Sequence, residues 1–211
     1  MGLEEIVSSR HIWRGRSGNG KQAVVSTGFS VLDRALPGGG WPWGAVIEIF
    51  AEHDGVGELS LWMPALASLN SGSDAGARWI VFIAPPWVPY APALASHGID
   101  LERVLLVGSS ETATDALWAA EQSVRSGSSA AVLAWLHAAN DTALRRLQLA
   151  AEECACGLML FRPLAAMKLR SPAAMRLHVT RQGAGFRVEI LKCRGGRPMR
   201  VDLACPSGTA L

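Results

Sequence analysis

Apolar positions follow one grammar over the first four-fifths of the chain and another after it. The continuous runs Val46–Phe50, Trp79–Ala84, Val104–Val107, Ala130–Trp135 and Gly157–Phe161 predict strands covered on both faces. Helical patterns lie between them. Over Thr112–Ser126, Ala113, Leu117, Ala120 and Val124 recur on one helical face and Gly127 follows as a stop. Over Asp141–Cys154, Leu144, Leu147, Ala151 and Cys154 make the inner face, Asn140 or Asp141 is the cap, and Arg145 and Arg146 point to solvent. After residue 172 the period drops to two. Met175–Arg181, Phe186–Lys192 and Met199–Leu203 alternate apolar and polar, as half-exposed antiparallel strands do. Their links, residues 182–185 and 194–198, read as hairpin turns.

Strand–helix–strand alternation predicts an α/β fold, a mainly parallel sheet with helices on both faces, running into an antiparallel C-terminal extension. Loops are expected at Arg16–Lys21, Pro37–Gly40 and Asn70–Ala77. The chain divides into an N-terminal arm over 1–25, a core over 26–205 and a loose tail over 206–211.

Composition narrows the class. With 211 residues, 49% hydrophobic and 18% charged, this is a globular domain and not a disordered chain. No run of 18 apolar residues suggests a membrane span, and the first 16 residues lack the apolar stretch of a secretory leader. A cytoplasmic protein with no membrane partner is expected. Cys154, Cys156, Cys193 and Cys205 lack zinc spacing and read as reduced thiols.

Charge is unevenly divided. The formal net charge of +2 averages 10 basic and 16 acidic side chains through residue 161 with 10 basic and 2 acidic beyond it. A body of −6 therefore carries an end of +8, which points to a docking surface for something negative.

The most distinctive stretch is 26–50, which reads S-T-G-x-x-x-L-D-x-A-L-x-G-G-G-x-P-x-G-x-x-x-E-I. It resembles the entry to the ATPase core of RecA-type recombinases. There a short helix and a Gly-rich turn lead into the first core strand, and the phosphate-binding loop follows at once. Such a loop needs G-x-x-x-x-G-K-[ST], glycines for backbone N–H groups to curl around phosphates, lysine to neutralise them and a hydroxyl for magnesium. Here Ala51 stands at the first glycine. With Gly57 at the second, Glu58 takes the lysine's place and Leu59 the hydroxyl's. Glu52, Asp54 and Glu58 make the loop acidic, and carboxylates repel a triphosphate in a partly desolvated site. Trp79–Ala84 resembles the strand followed by a water-activating glutamate, but Pro85-Pro86-Trp87-Val88-Pro89 follows. Ala130–Leu136 resembles the strand that ends in a magnesium-side aspartate, yet no acid occurs before Asp141. Four missing groups predict no ATP hydrolysis and no cofactor. Glu52, His53, Asp54 and Glu58 offer carboxylates and an imidazole, but no second cluster lies at a catalytic or metal spacing.

Further strings narrow the resemblance: Ile83-Ala84-Pro85-Pro86-Trp87-Val88-Pro89-Tyr90-Ala91-Pro92, Leu144-Arg145-Arg146-Leu147-Gln148-Leu149-Ala150-Ala151-Glu152 and Phe161-Arg162-Pro163. Together the markers look like ImuA, the RecA-like accessory family of bacterial translesion synthesis, over residues 11 to about 203. The related SulA cell-division inhibitors share the degenerate core. The resemblance implies a DNA-damage-inducible, SOS-response protein without its own catalysis, and contacts with RecA, ImuB and an error-prone polymerase. The alternative is a SulA-type inhibitor that binds FtsZ.

Candidate contact residues follow. In RecA-type proteins a DNA-binding loop succeeds the fifth core strand, the place of Arg162–Arg170 here. Arg162, Lys168, Arg170, Arg194, Arg197 and Arg200 are candidates for contact with single-stranded DNA or an acidic protein face, against the alternative of a solvated strand face. Among eight tryptophans, Trp79, Trp118 and Trp135 read as core, while Trp13, Trp41, Trp43 and Trp87 fall in loops or the arm. Trp13, Arg14 and Arg16 in the arm, and Trp87, are interface candidates. The arm either docks on a RecA-like partner, a second copy included, or folds back on its own core.

Overall fold

The computed structural model of the chain describes residues 12–14, 23–70, 78–108 and 112–204. Strands β1 (Ile12–Arg14), β2 (Ala23–Val25) and β3 (Trp41–Pro42) form a small antiparallel sheet. Helix α1 (Ser30–Ala35) lies between β2 and β3. The large sheet comprises β4 (Val46–Ala51), β5 (Trp79–Ile83), β6 (Val104–Val107), β7 (Ser129–Trp135), β8 (Gly157–Pro163), β9 (Met175–Gln182), β10 (Gly185–Cys193) and β11 (Met199–Ala204). Its spatial order is β11-β10-β9-β4-β8-β7-β5-β6. Four helices accompany it: α2 (Met63–Asn70), α3 (Ala91–Ser96), α4 (Ala113–Arg125) and α5 (Asp141–Cys154).

The expected strands and the two long helices form within one or two residues of their predicted ends. Thr112 caps α4 by accepting the Asp115 N–H, and Asn140 caps α5 by accepting the Ala143 N–H. Every residue of β7 is buried, as continuous apolar runs require. Two packed clusters sandwich the sheet. One joins α1, α2 and α3 to the face that carries Ile47, Ile49 and Leu177. The other joins α4 and α5 to the face that carries Val46, Val81 and Val132.

Several expectations need correction. Strand β9 is half-buried as expected, yet it pairs parallel to β4 and antiparallel only to β10. The chain leaves β8, crosses through a 3-10 turn at Leu164–Lys168 and re-enters on the far side of β4 in the same direction. Six adjacent strands are thus parallel, and the antiparallel part begins at β10. Strand β6 is the sheet edge, and Leu105 and Leu106 are exposed instead of covered. In α4 the inner face is Ala116, Ala120 and Val124, which leaves Ala113 and Trp118 outside. Trp79, first in β5, is also exposed. Conversely Trp41 and Trp43, expected in loops, are buried, Trp41 with its ring 4.3 Å from that of Trp62. Val24 and Val25, at the end of the expected arm, are buried in the core.

A buried charge sits at the middle of the parallel part. Glu48 on β4 is fully buried and carries a guanidinium on each oxygen. Arg162 of β8 donates to Oε1, and Arg176 of β9 donates to Oε2 at 2.8 Å. Each arginine also donates to a carbonyl, Arg162 to Ala139 at 2.6 Å and Arg176 to Ala166 at 3.1 Å. Arg176 lies over the Phe50 ring, 4.9 Å from its centroid. A second clamp ties α4 to α5. The hydrogen bond from Arg146 holds the Glu121 carboxyl below its ordinary range, against the opposing effect of burial. Removing the central carboxylate strands two guanidiniums in the interior. Glu48→Ala is therefore expected to lower stability by about 3–5 kcal/mol, read as a lower urea midpoint at unchanged m-value.

Candidate functional site

The glycine-rich entry proves to be a structural lock. Asp33 accepts the Ser26 hydroxyl at 2.7 Å and the Thr27 N–H at 2.8 Å, fastening α1 to the strand before it. Gly28, at φ +81°, leaves room for Pro64, whose Cβ would stand 2.2 Å from a side chain there. Gly40 passes the Val25 carbonyl so closely that a Cβ would come within 2.3 Å of it. The buried Trp43 covers Gly157 at the start of β8. These contacts aim the chain into β4, at whose C-terminal end the next loop begins.

That loop, residues 51–58, opens on solvent at Glu52, His53, Asp54 and Gly55 and then turns inward. Gly57 adopts φ +92° beneath Phe186, and Glu58 is only 4% exposed. Glu58 Oε1 accepts the Gly55 N–H at 3.1 Å, so the chain's own carboxylate takes up a loop amide. Glu58 Oε2 is buried with no donor among the described residues. A 3-10 turn, Glu58–Leu61, then leads towards α2.

Two cavities lie along the C-terminal edge of the parallel strands, where α/β sheets place their ligands. One, about 390 Å³, is bounded by Glu52, Asp54, Glu58, Trp87, His137 and Arg162. The other, about 340 Å³, lies between the β5 and β7 ends and α4, with Ala84, Thr112, Leu117 and His137 in its wall. His137 borders both. Ala84 stands at φ +48°, a left-handed conformation unusual for a side chain with a Cβ. No three His, Cys, Asp or Glu side chains among the described residues come close enough together to hold a metal ion.

The predicted contact residues separate into distinct groups. Trp87 is 72% exposed, next to the still more exposed Val88, and borders the acidic cavity. Arg162 is not a surface residue: its guanidinium is committed to Glu48 and Ala139. Arg194 and Arg200 are exposed but paired, with Glu152 at 3.1 Å and with Glu189 respectively. Lys168, Arg170 and Arg197 are exposed with no carboxylate partner among the described residues. Trp13 and Arg14 fall in β1, and Arg16 lies outside the described residues, as do the loop expected over 16–21 and the tail over 206–211.

The strand face behind this basic set is partly self-neutralised. The Arg187 hydrogen bond at 2.8 Å holds the Asp202 carboxyl below its usual range, against burial. Burial opposes the lowering of Glu189, yet Arg200 and His178 hold it down. Burial, followed by the nearby Arg176 and Arg194, lowers the Lys192 ammonium, which donates to the Ser171 carbonyl at 2.8 Å.

Sequence reasoning missed Glu48 and His137. Glu48 sat inside an apolar run, and a charge in a run buried on both faces was the available signal. His137 follows the β7 run directly, at the strand end where sheet ligands gather. Gly57 carries the local geometry of the loop, since a Cβ there would stand 2.9 Å from Phe186 Cε1 at a φ that side chains resist. Gly57→Ala is expected to cost about 1–3 kcal/mol of stability, measured by denaturant unfolding.

No protein-family model matches the chain. Protein RecA 1 of Myxococcus xanthus is 36% identical over 110 residues, 51% of this chain and 30% of that protein. The cell division inhibitor SulA of Pseudomonas aeruginosa is 34% identical over 94 residues, 44% of this chain and 56% of that protein. The crystal structure of SulA from Pseudomonas aeruginosa aligns at TM-score 0.44 and 27% identity, covering 56% of this chain and 97% of that one. The chain thus matches between 30% and 56% of the length of these curated relatives. It shares partial homology, at low identity, with RecA and with SulA.

Proposed function

We propose that this chain is a degenerate RecA-like domain that acts without catalysis in the cytoplasm, as an accessory of the SOS response. In this reading it assembles or regulates an error-prone translesion-synthesis complex with ImuB, an error-prone polymerase and RecA. The observation that carries it is the loop after β4. Where a RecA-type ATPase offers lysine and free amides to a triphosphate, this loop buries Glu58 and bonds it to the Gly55 amide. A carboxylate in that position opposes a phosphate. The Pro85-Pro86-Trp87 sequence after β5 and the Leu136-His137-Ala138 sequence after β7 support the same reading, since neither supplies the acid that hydrolysis needs. Without chemistry of its own, such a domain acts through its surfaces. Trp87 on one side and Lys168, Arg170 and Arg197 on another are the candidates for protein contact, with single-stranded DNA a further ligand for the cations.

A second reading, inhibition of cell division through FtsZ, draws on the similarity to SulA over 94 residues. The two readings separate in one experiment. The tagged full chain is used to recover partners from DNA-damaged cells, and purified FtsZ polymerisation is followed by light scattering with and without the chain. The accessory reading expects ImuB and RecA among the recovered proteins and unchanged FtsZ scattering. Recovery of FtsZ with suppressed scattering supports the division-inhibitor reading and overturns the first.

A further inference from the structure

We propose that the cavity between loop 51–58 and Trp87 receives a cationic side chain, an arginine or lysine presented by a basic segment of another protein. Three carboxylates border it, those of Glu52, Asp54 and Glu58. The permanent cation in the same wall, Arg162, donates to Glu48 and to the Ala139 carbonyl and forms no ion pair with any of the three. A volume of about 390 Å³ lies within the range of ligand cavities.

The buried end of the cavity calls for a donor. Glu58 is 4% exposed, one oxygen accepts the Gly55 N–H, and the other has no partner among the described residues. A buried acceptor without a donor is costly, so a ligand that supplies an N–H there gains what the free protein lacks. Guanidinium offers five such hydrogens and ammonium three. An anion finds the reverse, three like charges around it. No three of the carboxylates and histidines converge tightly enough for a metal, so a cation with donors spread over its surface fits the arrangement better than a compact ion.

The rim points to a polypeptide as the bearer of that cation. Trp87 stands over the loop, its Nε1 3.9 Å from where a Cβ on Gly55 would be, and its exposed indole is a platform for a cation. Val88 and Tyr90 continue the apolar surface outward. Pro85, Pro86 and Pro89 stiffen this segment, so little freedom is lost when a peptide lies against it. An acidic pocket under an exposed aromatic rim is complementary to a basic residue flanked by apolar ones.

The inference rests on the reading that loop 51–58 takes no triphosphate. It is tested on the purified full chain with a short acetylated peptide alternating glycine and arginine, and with the same peptide carrying uncharged citrulline. Binding is followed by calorimetry and tryptophan fluorescence. The arginine peptide is expected to bind at least about tenfold more tightly than the citrulline peptide. That preference should weaken with salt and fall by about tenfold or more in Glu58→Gln and in Trp87→Ala. Trp87→Ala changes an exposed side chain and keeps the test decisive if Glu58→Gln does not fold. Equal binding of the two peptides, no binding at millimolar peptide, or unchanged affinity in Trp87→Ala overturns the proposal. Sedimentation of the chain alone covers a second copy as occupant: a dimer abolished by Trp87→Ala overturns the assignment to another protein. A chain that binds ATP loses the underlying reading; a chain that binds neither ATP nor the arginine peptide keeps that reading and loses this inference.

Discussion

The carboxylate of Glu48 is the point on which the sheet turns. It lies on the central strand β4, with β8 on one side and β9 on the other, and takes one guanidinium from each. A fully buried charge in an apolar run is costly unless it is paired and hydrogen-bonded. Here each Glu48 oxygen accepts from a guanidinium, and Arg162 and Arg176 each donate again, to the Ala139 and Ala166 carbonyls, while Arg162 Nε has no partner among the described residues. The ion cluster therefore specifies register. A slip of β4 by one residue would turn Glu48 towards the apolar cluster around Ile47 and Ile49.

The uneven charge of the chain takes on a different meaning once the pairs are known. Of the ten cations beyond residue 161, two serve Glu48, and three more are paired with Glu152, Glu189 and Asp202. The strand face formed by β9, β10 and β11 is thus a ladder of opposite charges as much as a basic surface. Lys192 donates to the Ser171 carbonyl, and four are exposed without a carboxylate partner among the described residues: Lys168 and Arg170 after β8, Arg181 over the Phe186 ring at the end of β9, and Arg197 in the turn before β11. The acid of the first part is likewise concentrated, with Glu52, Asp54 and Glu58 around one cavity. The two poles lie on different elements.

Most of the fold was legible because strand and helix periods are local properties. The runs that became β4, β5, β7 and β8 are too apolar for any other place, and the alternation in Met175–Leu203 gave three half-buried strands. What the period cannot encode is which neighbour a strand meets. Hence β9 turned out parallel to β4, and β6, as apolar as the rest, turned out to be an edge with Leu105 and Leu106 uncovered. Tryptophans were the least legible residues. Trp41 and Trp43 sit among glycines and prolines, a loop signature, yet Gly40 lets the backbone pass close to the Val25 carbonyl, and the distant Gly157 makes room for the Trp43 ring. The site was legible at Glu58 and Trp87, where residue type broke a pattern. Arg162 was misread because its partner lies 114 positions away in the chain.

The central claim is that the place after the first core strand holds a carboxylate of the chain itself and not a nucleotide. Calorimetric titration of the purified full chain with ATP and magnesium tests it most directly. No saturable heat at micromolar to millimolar ATP is the predicted result. A one-site isotherm with micromolar affinity would contradict the account.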